Sequence, residues 1–160
     1  MGQRYGEVEA LGGSAVAVAV TATFSQQAFA EALAVRFPLV SDWGREVAAA
    51  YGVRYDVWKG HDGVAKRSLF VIDPKKKIRL TITYPMSTGR NFDEILRVLD
   101  SMQLTATHKV ATPVNWKQGD DVIILPSIPD DEAKKLFPEG WKAPKPYLRM
   151  VKQPRQSPSK

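Results

Sequence analysis

Two apolar segments constrain the fold of this 160-residue chain more than any other feature. Residues 14–20 and 68–72 are apolar on both faces. A strand with one face in water alternates polar and apolar side chains, so continuous apolar strands are typical of a sheet covered by helices on both sides. The sequence therefore predicts an α/β fold in which these two segments are buried inner strands.

Amphipathic segments near the first strand predict two helices. In residues 23–35, Ser25 is a candidate cap, and apolar side chains recur at helical spacing to form a face that should pack in the core: Ala28, Phe29, Ala32 and Leu33. In residues 41–51, Ser41 is a second candidate cap, and Gly52 stands where helices often end in the left-handed conformation. The predicted order is strand, helix, helix, with a short extended segment at 37–40 between the two helices.

A loop, a hairpin and a long helix are predicted next. Residues 53–66 show no period and contain two glycines, which is typical of an exposed loop. Residues 68–72 and the alternating residues 78–84 flank an Asp73–Pro74 turn, so they predict a hairpin of one buried and one half-exposed strand. Asn91 is positioned to cap a helix with a long apolar stripe: Phe92, Ile95, Leu96, Leu99 and Met102.

The composition changes near Asp73. Residues 1–73 carry 7 Lys and Arg against 8 Asp and Glu, whereas residues 74–160 carry 16 against 9 and ten of the eleven prolines. The basic excess of the chain therefore belongs to its second part. The charge run at Lys75, Lys76, Lys77 and Arg79 lies at a predicted hairpin turn, where such runs are usually solvated, so solubility explains it better than nucleic-acid binding.

The second part of the chain predicts short elements separated by prolines. Residues 122–125 have a strand pattern, and residues 129–137 predict a helix whose acidic first turn and basic later residues complement the helix macrodipole. Trp116 and Trp141 are interpreted as packing anchors rather than platforms for nucleic-acid bases. A basic, proline-rich tail that is mobile is expected after about Val151.

The missing residue types exclude several kinds of chemistry. The chain has no cysteine, so it forms no disulfide, thiolate metal site or thiol nucleophile. His61 and His108 are far apart and lack metal-ligand spacing, so we interpret His61 as a loop residue and His108 as solvated, and expect no metal and no cofactor. With no long apolar run and no signal-peptide pattern, the sequence predicts a cytoplasmic protein without a membrane partner.

Particular motifs resemble the peroxiredoxins of the AhpC/TSA superfamily. YPMSTGRNFDEILRVLDSMQLT (84–105), HKVATPVNW (108–116) and DDVIILPSIPDDEAKKLFP (120–138) are similar to the one-cysteine type with its C-terminal domain. Residues 14–73 resemble bacterial redoxin and alkyl-hydroperoxide-reductase relatives. The resemblance implies an N-terminally incomplete thioredoxin-like core at 1–104, a small α+β dimerisation domain at 105–151 and a tail at 152–160.

The resemblance also implies where the peroxide site of the family would lie. Its reactive cysteine stands in a P-x-x-x-[TS]-x-x-C motif, which this chain does not contain. Two family arginines match Arg67 and Arg90 here, and these are the candidate catalytic residues. For Arg90 a second interpretation stays open, in which it simply pairs with Asp93 or Glu94 near the helix cap.

The absent motif leads to three hypotheses about function. The first is a peroxiredoxin-family chain that cannot reduce peroxide, because no other side chain replaces a thiolate in that reaction. The second is a non-catalytic interaction module in which residues 104–151 bind a like subunit to form homodimers or larger assemblies. The third, ranked last, is a nucleic-acid binder. The chain could be a fragment, an incomplete gene product or a join of two relatives. The resemblance also implies that the strand that lies between 15–20 and 68–72 in a thioredoxin fold is absent, so these two segments should have unpaired edges.

Overall fold

A computed structural model describes residues 2–58 and 60–155 of the chain. The chain divides into two compact units, Met1–Asn91 and Phe92–Lys160. The domain boundary predicted between residues 104 and 105 falls near the end of the long helix of the second unit. It stays a prediction. In the described part of the chain, no helix combines the length and the apolar character needed to cross a bilayer.

The first unit begins with helices and a crossover. A 3-10 turn at Gly2–Arg4 leads into α1 (Tyr5–Ala10), where Tyr5 is buried against Phe37 with ring centroids 5.1 Å apart. Strands β1 (Ala17–Ala19) and β2 (Leu39–Ser41) pair in parallel, with α2 (Thr23–Ala32) between them along the chain. The predicted strand and helix are confirmed, and the segment predicted to be short and extended at 37–40 overlaps β2.

The packing of β1 and α2 differs from the prediction. The face of α2 that was expected in the core is exposed, with Phe29 at 56% and Leu33 at 59%, and Val18 on β1 is exposed too. The buried side chain of α2 is Gln26, whose amide nitrogen donates to the carbonyl oxygens of three residues: Ala19, Thr21 and Val40. A pattern identifies the apolar face of a helix but not whether another element covers it.

The caps of the two helices also differ from the prediction. Helix α2 begins at Thr23, two residues before the expected cap Ser25. Helix α3 (Glu46–Ala50) is capped by Asp42, whose two carboxylate oxygens accept the N–H groups of Val47 and Ala48 at 3.0 and 2.8 Å. Ser41 ends β2 and its hydroxyl donates to a carbonyl instead. Gly52 follows α3 with φ of +65°, as predicted.

The predicted loop at 53–66 is wrong in part, because it contains a small hairpin. Strands β3 (Val57–Trp58) and β4 (His61–Asp62) pair antiparallel, and an isolated bridge joins Arg54 to Ala65. Backbone pairing of this kind does not need an apolar repeat, so no periodic signal in the sequence indicates it.

The next hairpin is confirmed. Strands β5 (Arg67–Ile72) and β6 (Ile78–Tyr84) pair antiparallel, but β5 is half-buried along most of its length rather than buried. The described strands of the first unit form three separate two-stranded sheets, β1–β2, β3–β4 and β5–β6. None of the described strands pairs with both β1 and β5. This agrees with the expectation that the two strands have unpaired edges.

The second unit has a continuous core. Helix α4 (Phe92–Thr107) precedes β7 (Val110–Ala111), β8 (Val122–Ile124), α5 (Asp130–Leu136), β9 (Lys142–Lys145) and β10 (Leu148–Val151). The four strands form an antiparallel sheet in the order β7–β8–β10–β9. The buried cluster consists of Leu104, Val110, Trp116, Val122, Ile124, Ile128, Ala133 and Val151, with Trp141 packed against it. Both tryptophans are thus confirmed as packing residues.

One residue beyond β10 contacts the second unit through its side chain. The side-chain oxygen of Gln153 accepts the N–H of Gly119 at 2.6 Å. The mobility of the tail stays a prediction. Residues 156–160 of the predicted tail lie outside the described residues.

Candidate functional site

The two candidate arginines lie at one end of the β5–β6 hairpin. The strand register places Arg67, the first residue of β5, opposite Tyr84, the last residue of β6. This register includes an irregularity between Val71 and Ile72, near the turn. The hairpin therefore brings a guanidinium and a phenol to its open end, where the chain continues toward Arg90.

The segment after β6 folds back over this end. A turn forms where the N–H of Thr88 donates to the Pro85 carbonyl at 2.9 Å. Arg67 Nη1 then donates to the Thr88 carbonyl at 3.2 Å, and the N–H of Asn91 donates to the Tyr84 hydroxyl at 3.3 Å. These contacts hold the turn on the hairpin and bring Arg90, which lies between Thr88 and Asn91, back toward Arg67.

The electrostatics of Arg90 reflect this arrangement. Partial desolvation of its guanidinium lowers the pKa of Arg90, the positive charge of Arg67 lowers it further, and Tyr84 opposes the change. None of the carboxylates that the structure describes forms a salt bridge with Arg67 or Arg90. Like charges held together without an acidic partner favour an anionic or oxygen-rich ligand. We call Arg67, Tyr84, Thr88 and Arg90 the arginine cluster.

The alternative interpretation, in which Arg90 forms an ion pair with Glu94, is not supported. The Glu94 carboxylate forms a two-point ion pair with Arg97, at 2.6 and 2.8 Å. This pair lowers the pKa of Glu94, chiefly through the hydrogen bond from Arg97. Glu94 is therefore neutralised within its own helix.

The arginine cluster can bind but supplies no redox chemistry. Each guanidinium offers several N–H donors in a planar fork that suits an oxyanion. Peroxide reduction needs a nucleophile that accepts oxygen, and the hydroxyls of Tyr84 and Thr88 lack the polarisable sulfur that does this. The chain has no cysteine to supply it.

Metal chemistry has no support in the described part of the chain. No group of three or more potential ligands from histidine, cysteine, aspartate or glutamate is found there. His61 belongs to β4, and its side chain lies outside what is described. His108 was interpreted as solvated, but it is half-buried and its Nδ1 lies 2.9 Å from the Thr107 hydroxyl.

Sequence reasoning missed Tyr84 and Thr88. Both lie inside the segment that carried the resemblance, yet neither was a candidate. The alternation of residues 78–84 predicted a strand, but the partner of each residue depends on the turn and on the irregularity near Ile72. The pairing of Arg67 with Tyr84 could therefore not be read from the pattern.

Known proteins resemble both parts of the chain. The profile of the AhpC/TSA family matches residues 1–81, and that of the C-terminal domain of 1-Cys peroxiredoxin matches residues 101–143. Peroxiredoxin-6 of Homo sapiens is 51% identical over 125 residues, which cover 74% of this chain and 56% of the relative. A 1-Cys peroxiredoxin of Dictyostelium discoideum is 48% identical over 120 residues, covering 75% of this chain and 49% of the relative.

Solved structures agree with these relatives. A cysteine-to-serine mutant of Peroxiredoxin 6 from Arenicola marina has a TM-score of 0.87 and 34% identity, covering 97% of this chain and 77% of its own. A yeast mitochondrial 1-Cys peroxiredoxin has a TM-score of 0.81 and 38% identity, covering 94% and 76%. The fold is therefore thioredoxin-like, as predicted. The chain spans about half the length of the curated relatives it matches, and it belongs to the peroxiredoxin family.

Proposed function

We propose that this chain is a peroxiredoxin-family module that does not turn over peroxide and that keeps an oxyanion-binding arginine cluster. The observation that carries the proposal combines two arginines, Arg67 and Arg90, that form a salt bridge with none of the described carboxylates, and the absence of cysteine from the sequence. The assignment of both arginines to a former peroxide site rests on their match to the family motif. Their shared location at the hairpin end supports it.

The chemistry of the missing group explains the expected inactivity. In a thiol peroxidase the thiolate attacks the O–O bond, and the sulfur carries the oxygen away as a sulfenic acid. Serine, threonine and tyrosine hydroxyls are almost fully protonated at neutral pH and do not form an equivalent product. The arginines alone can orient a peroxide but cannot accept its oxygen.

Peroxide consumption tests the first part of this proposal. Purified, metal-free chain is incubated with hydrogen peroxide and a thiol reductant, and a cysteine-containing peroxiredoxin serves as the positive control. The expected rate equals that of a buffer blank. Saturable turnover that follows the chain through purification would contradict the proposal.

Anion titration tests the second part. Inorganic sulfate, added at low ionic strength, should shift the Nε–H signals of Arg67 and Arg90 saturably, and added chloride should weaken the effect by screening. The variants Arg67→Gln and Arg90→Gln should each remove most of the binding. The matched control is Arg36→Gln, because Arg36 is 59% exposed and already paired with Glu9. Equal binding by all three variants would contradict a specific site.

Self-association is a second candidate function, favoured by a separate observation in the first unit. Large apolar side chains are exposed along β1, α2, β2 and α3 and the segments next to them: Val16, Val18, Phe24, Phe29, Leu33, Val40, Trp43, Val47 and Tyr51. Many exposed large apolar side chains within one unit favour burial against another protein surface. Strands β1 and β5 add edges that a second copy can pair with.

Sedimentation velocity tests this second function. The chain should form dimers or larger species at micromolar concentration, and Phe29→Glu should shift the distribution toward monomer because it places a charge on the exposed face of α2. Val114→Glu is the control, since Val114 is 88% exposed and belongs to the second unit. A monomer that persists across the micromolar range would count against self-association.

A further inference from the structure

The second unit contains a cleft that neither the peroxide chemistry nor the sheet core uses. It has a volume of about 570 Å³ and lies between the β8–α5 connection and the two-residue turn that joins β9 to β10. Its walls combine two aromatic side chains with prolines from both segments: Trp141, Tyr147, Pro126, Pro129 and Pro146. The floor of this aromatic cleft is formed by Ile128 and Arg149.

Arg149 holds one wall of the cleft in place. Its side chain is 12% exposed, and its guanidinium donates to Asp130 Oδ1 at 2.7 Å and to the carbonyls of Leu125 and Ile128 at 3.1 and 2.6 Å. The same guanidinium lies 5.6 Å from the ring centroid of Trp141. One side chain of β10 thus contacts both the β8–α5 connection and the indole ring, so a ligand does not have to order these two on binding.

Three polar groups at the aromatic cleft are available to form hydrogen bonds with a ligand. Among the residues that the structure describes, none bonds to the Trp141 indole N–H, the Tyr147 hydroxyl or the second oxygen of Asp130. Tyr147 is 77% exposed and Asp130 68% exposed in its side chain. The cleft therefore offers two donors beside aromatic faces and one acceptor with negative charge.

This set of groups matches one kind of backbone. A polyproline II segment makes no internal hydrogen bonds, so its carbonyl oxygens are free to accept from an indole N–H or a phenol, while its rings pack on aromatic faces. A β-strand ligand fits less well, because the neighbouring edge strand β9 carries Pro144 and two exposed lysines that discourage pairing.

The charge at the rim selects among such segments. The charged side chains that line the cleft are Asp130 and Arg149, and the guanidinium of Arg149 is already engaged. Asp131 and Glu132 are exposed in the same first turn of α5 as Asp130. The α5 side of the cleft is therefore negative and suits an arginine or lysine in the ligand. Positive charge lies on β9, whose Lys142 and Lys145 are exposed.

We propose that the aromatic cleft between the β8–α5 connection and the β9–β10 turn binds a proline-rich, basic peptide segment in the polyproline II conformation. Trp141 and Tyr147 bind the proline rings and carbonyls, and Asp130 binds the basic side chain. This binding does not depend on the arginine cluster or on self-association.

The binding test uses the full chain labelled with ¹⁵N and three blocked synthetic peptides. The first contains proline and arginine, the second has alanine in place of proline, and the third has glutamate in place of arginine. The indole N–H signal of Trp141, assigned with the variant Trp141→Phe, should shift saturably with the first peptide. Both substituted peptides should bind at least roughly fivefold more weakly, since they lose ring stacking or gain charge repulsion.

Two surface variants connect binding to the cleft. Tyr147→Ala should weaken binding of the first peptide roughly fivefold, and Asp130→Asn, which keeps an oxygen to accept from Arg149, should reduce the preference for arginine over glutamate. Val114→Ala is the matched control, because Val114 is 88% exposed in the same unit and does not line the cleft. Absence of a saturable shift, equal binding of the alanine peptide, or wild-type affinity in Tyr147→Ala would overturn the proposal.

Discussion

The two units of this chain differ in how many of their large apolar side chains are buried. The second unit collects them in one cluster around Leu104 and Trp116, and of its large apolar side chains Val114, Leu136 and Tyr147 are exposed among those described. The first unit buries Tyr5, Val8, Phe37 and Ala48 but exposes apolar residues along several elements. Both units contain amphipathic helices, α2 in the first and α4 in the second, so an amphipathic helix alone does not make a core. Another helix or sheet must also pack against the apolar face.

The largest expected effect tests the core of the second unit. Trp116 is 1% exposed and its indole N–H donates to the Asp120 carbonyl at 3.3 Å. Trp116→Ala should lower the free energy of unfolding by about 3–5 kcal/mol because it leaves a large cavity. Urea unfolding followed by circular dichroism measures the loss. Phe24→Ala, at an 85% exposed site in the first unit, should change it by less than about 0.5 kcal/mol. Similar losses in both variants would remove the contrast between the units.

A smaller effect tests a local contact in the first unit. Gly63 has φ of +69°, and a Cβ there would overlap the side chain of Arg45. Gly63→Ala should therefore cost about 2 kcal/mol, of which about 1 kcal/mol comes from the left-handed backbone. Gly60→Ala separates the two causes, since Gly60 has φ of +77° with nothing within 4 Å of the added carbon. Thermal unfolding should rank Gly63→Ala below Gly60→Ala, and equal losses in the two variants would show that Arg45 moves away freely.

The cap of α3 gives the next effect. Asp42→Ala should lower stability by about 1–2 kcal/mol, because the N–H groups of Val47 and Ala48 lose their acceptors in a buried position. Ser41→Ala, at the residue that the sequence favoured as cap, removes a single exposed hydrogen bond to Thr21 and should cost less. Denaturation midpoints of the two variants measure the difference. A larger loss in Ser41→Ala would restore the cap predicted from the sequence.

The smallest effect is the pH dependence contributed by Asp100 in the second unit. Burial raises the pKa of the Asp100 carboxyl, and its Oδ1 has no partner among the described residues. The folded state therefore holds this proton to higher pH than the unfolded state, so stability decreases as pH rises from the ordinary aspartate pKa through the raised value. Asp100→Asn should flatten that decrease in a series of unfolding curves. Asp56→Asn, at a side chain 99% exposed, should leave it unchanged, and an unaltered slope in Asp100→Asn would contradict the assignment.

The sequence predicted those elements whose caps, turns and periodic patterns lie within a short stretch of the chain. Helices α4 and α5 and the β5–β6 hairpin were predicted because their caps, turns and periods lie within a few residues of one another. Strands β9 and β10 were not predicted, because Pro144 and the lysines around it give β9 no alternation of polar and apolar side chains and β10 has only four residues. Burial of Gln26 instead of Phe29 could not be predicted, since it depends on carbonyl groups of two strands that the helix connects.

The candidate site shows the same limit. Arg67 and Arg90 were identified through a family motif, not through any period or spacing, and the motif says nothing of the residues that hold them. Their approach depends on the register of a hairpin and on a turn closed by Thr88. Such long-range pairing is decided by the folded backbone, so Tyr84 and Thr88 appeared only in the structure.

The Arg149 guanidinium also determines how the second unit can open. Its acceptors are 19 to 24 residues away along the chain, on the β8–α5 connection and at the start of α5. Releasing any one of them leaves the other two in place, so β10 and that connection must detach together rather than fray one after the other. In amide hydrogen exchange, this part of the molecule should behave as a single cooperative block whose protection disappears in one step.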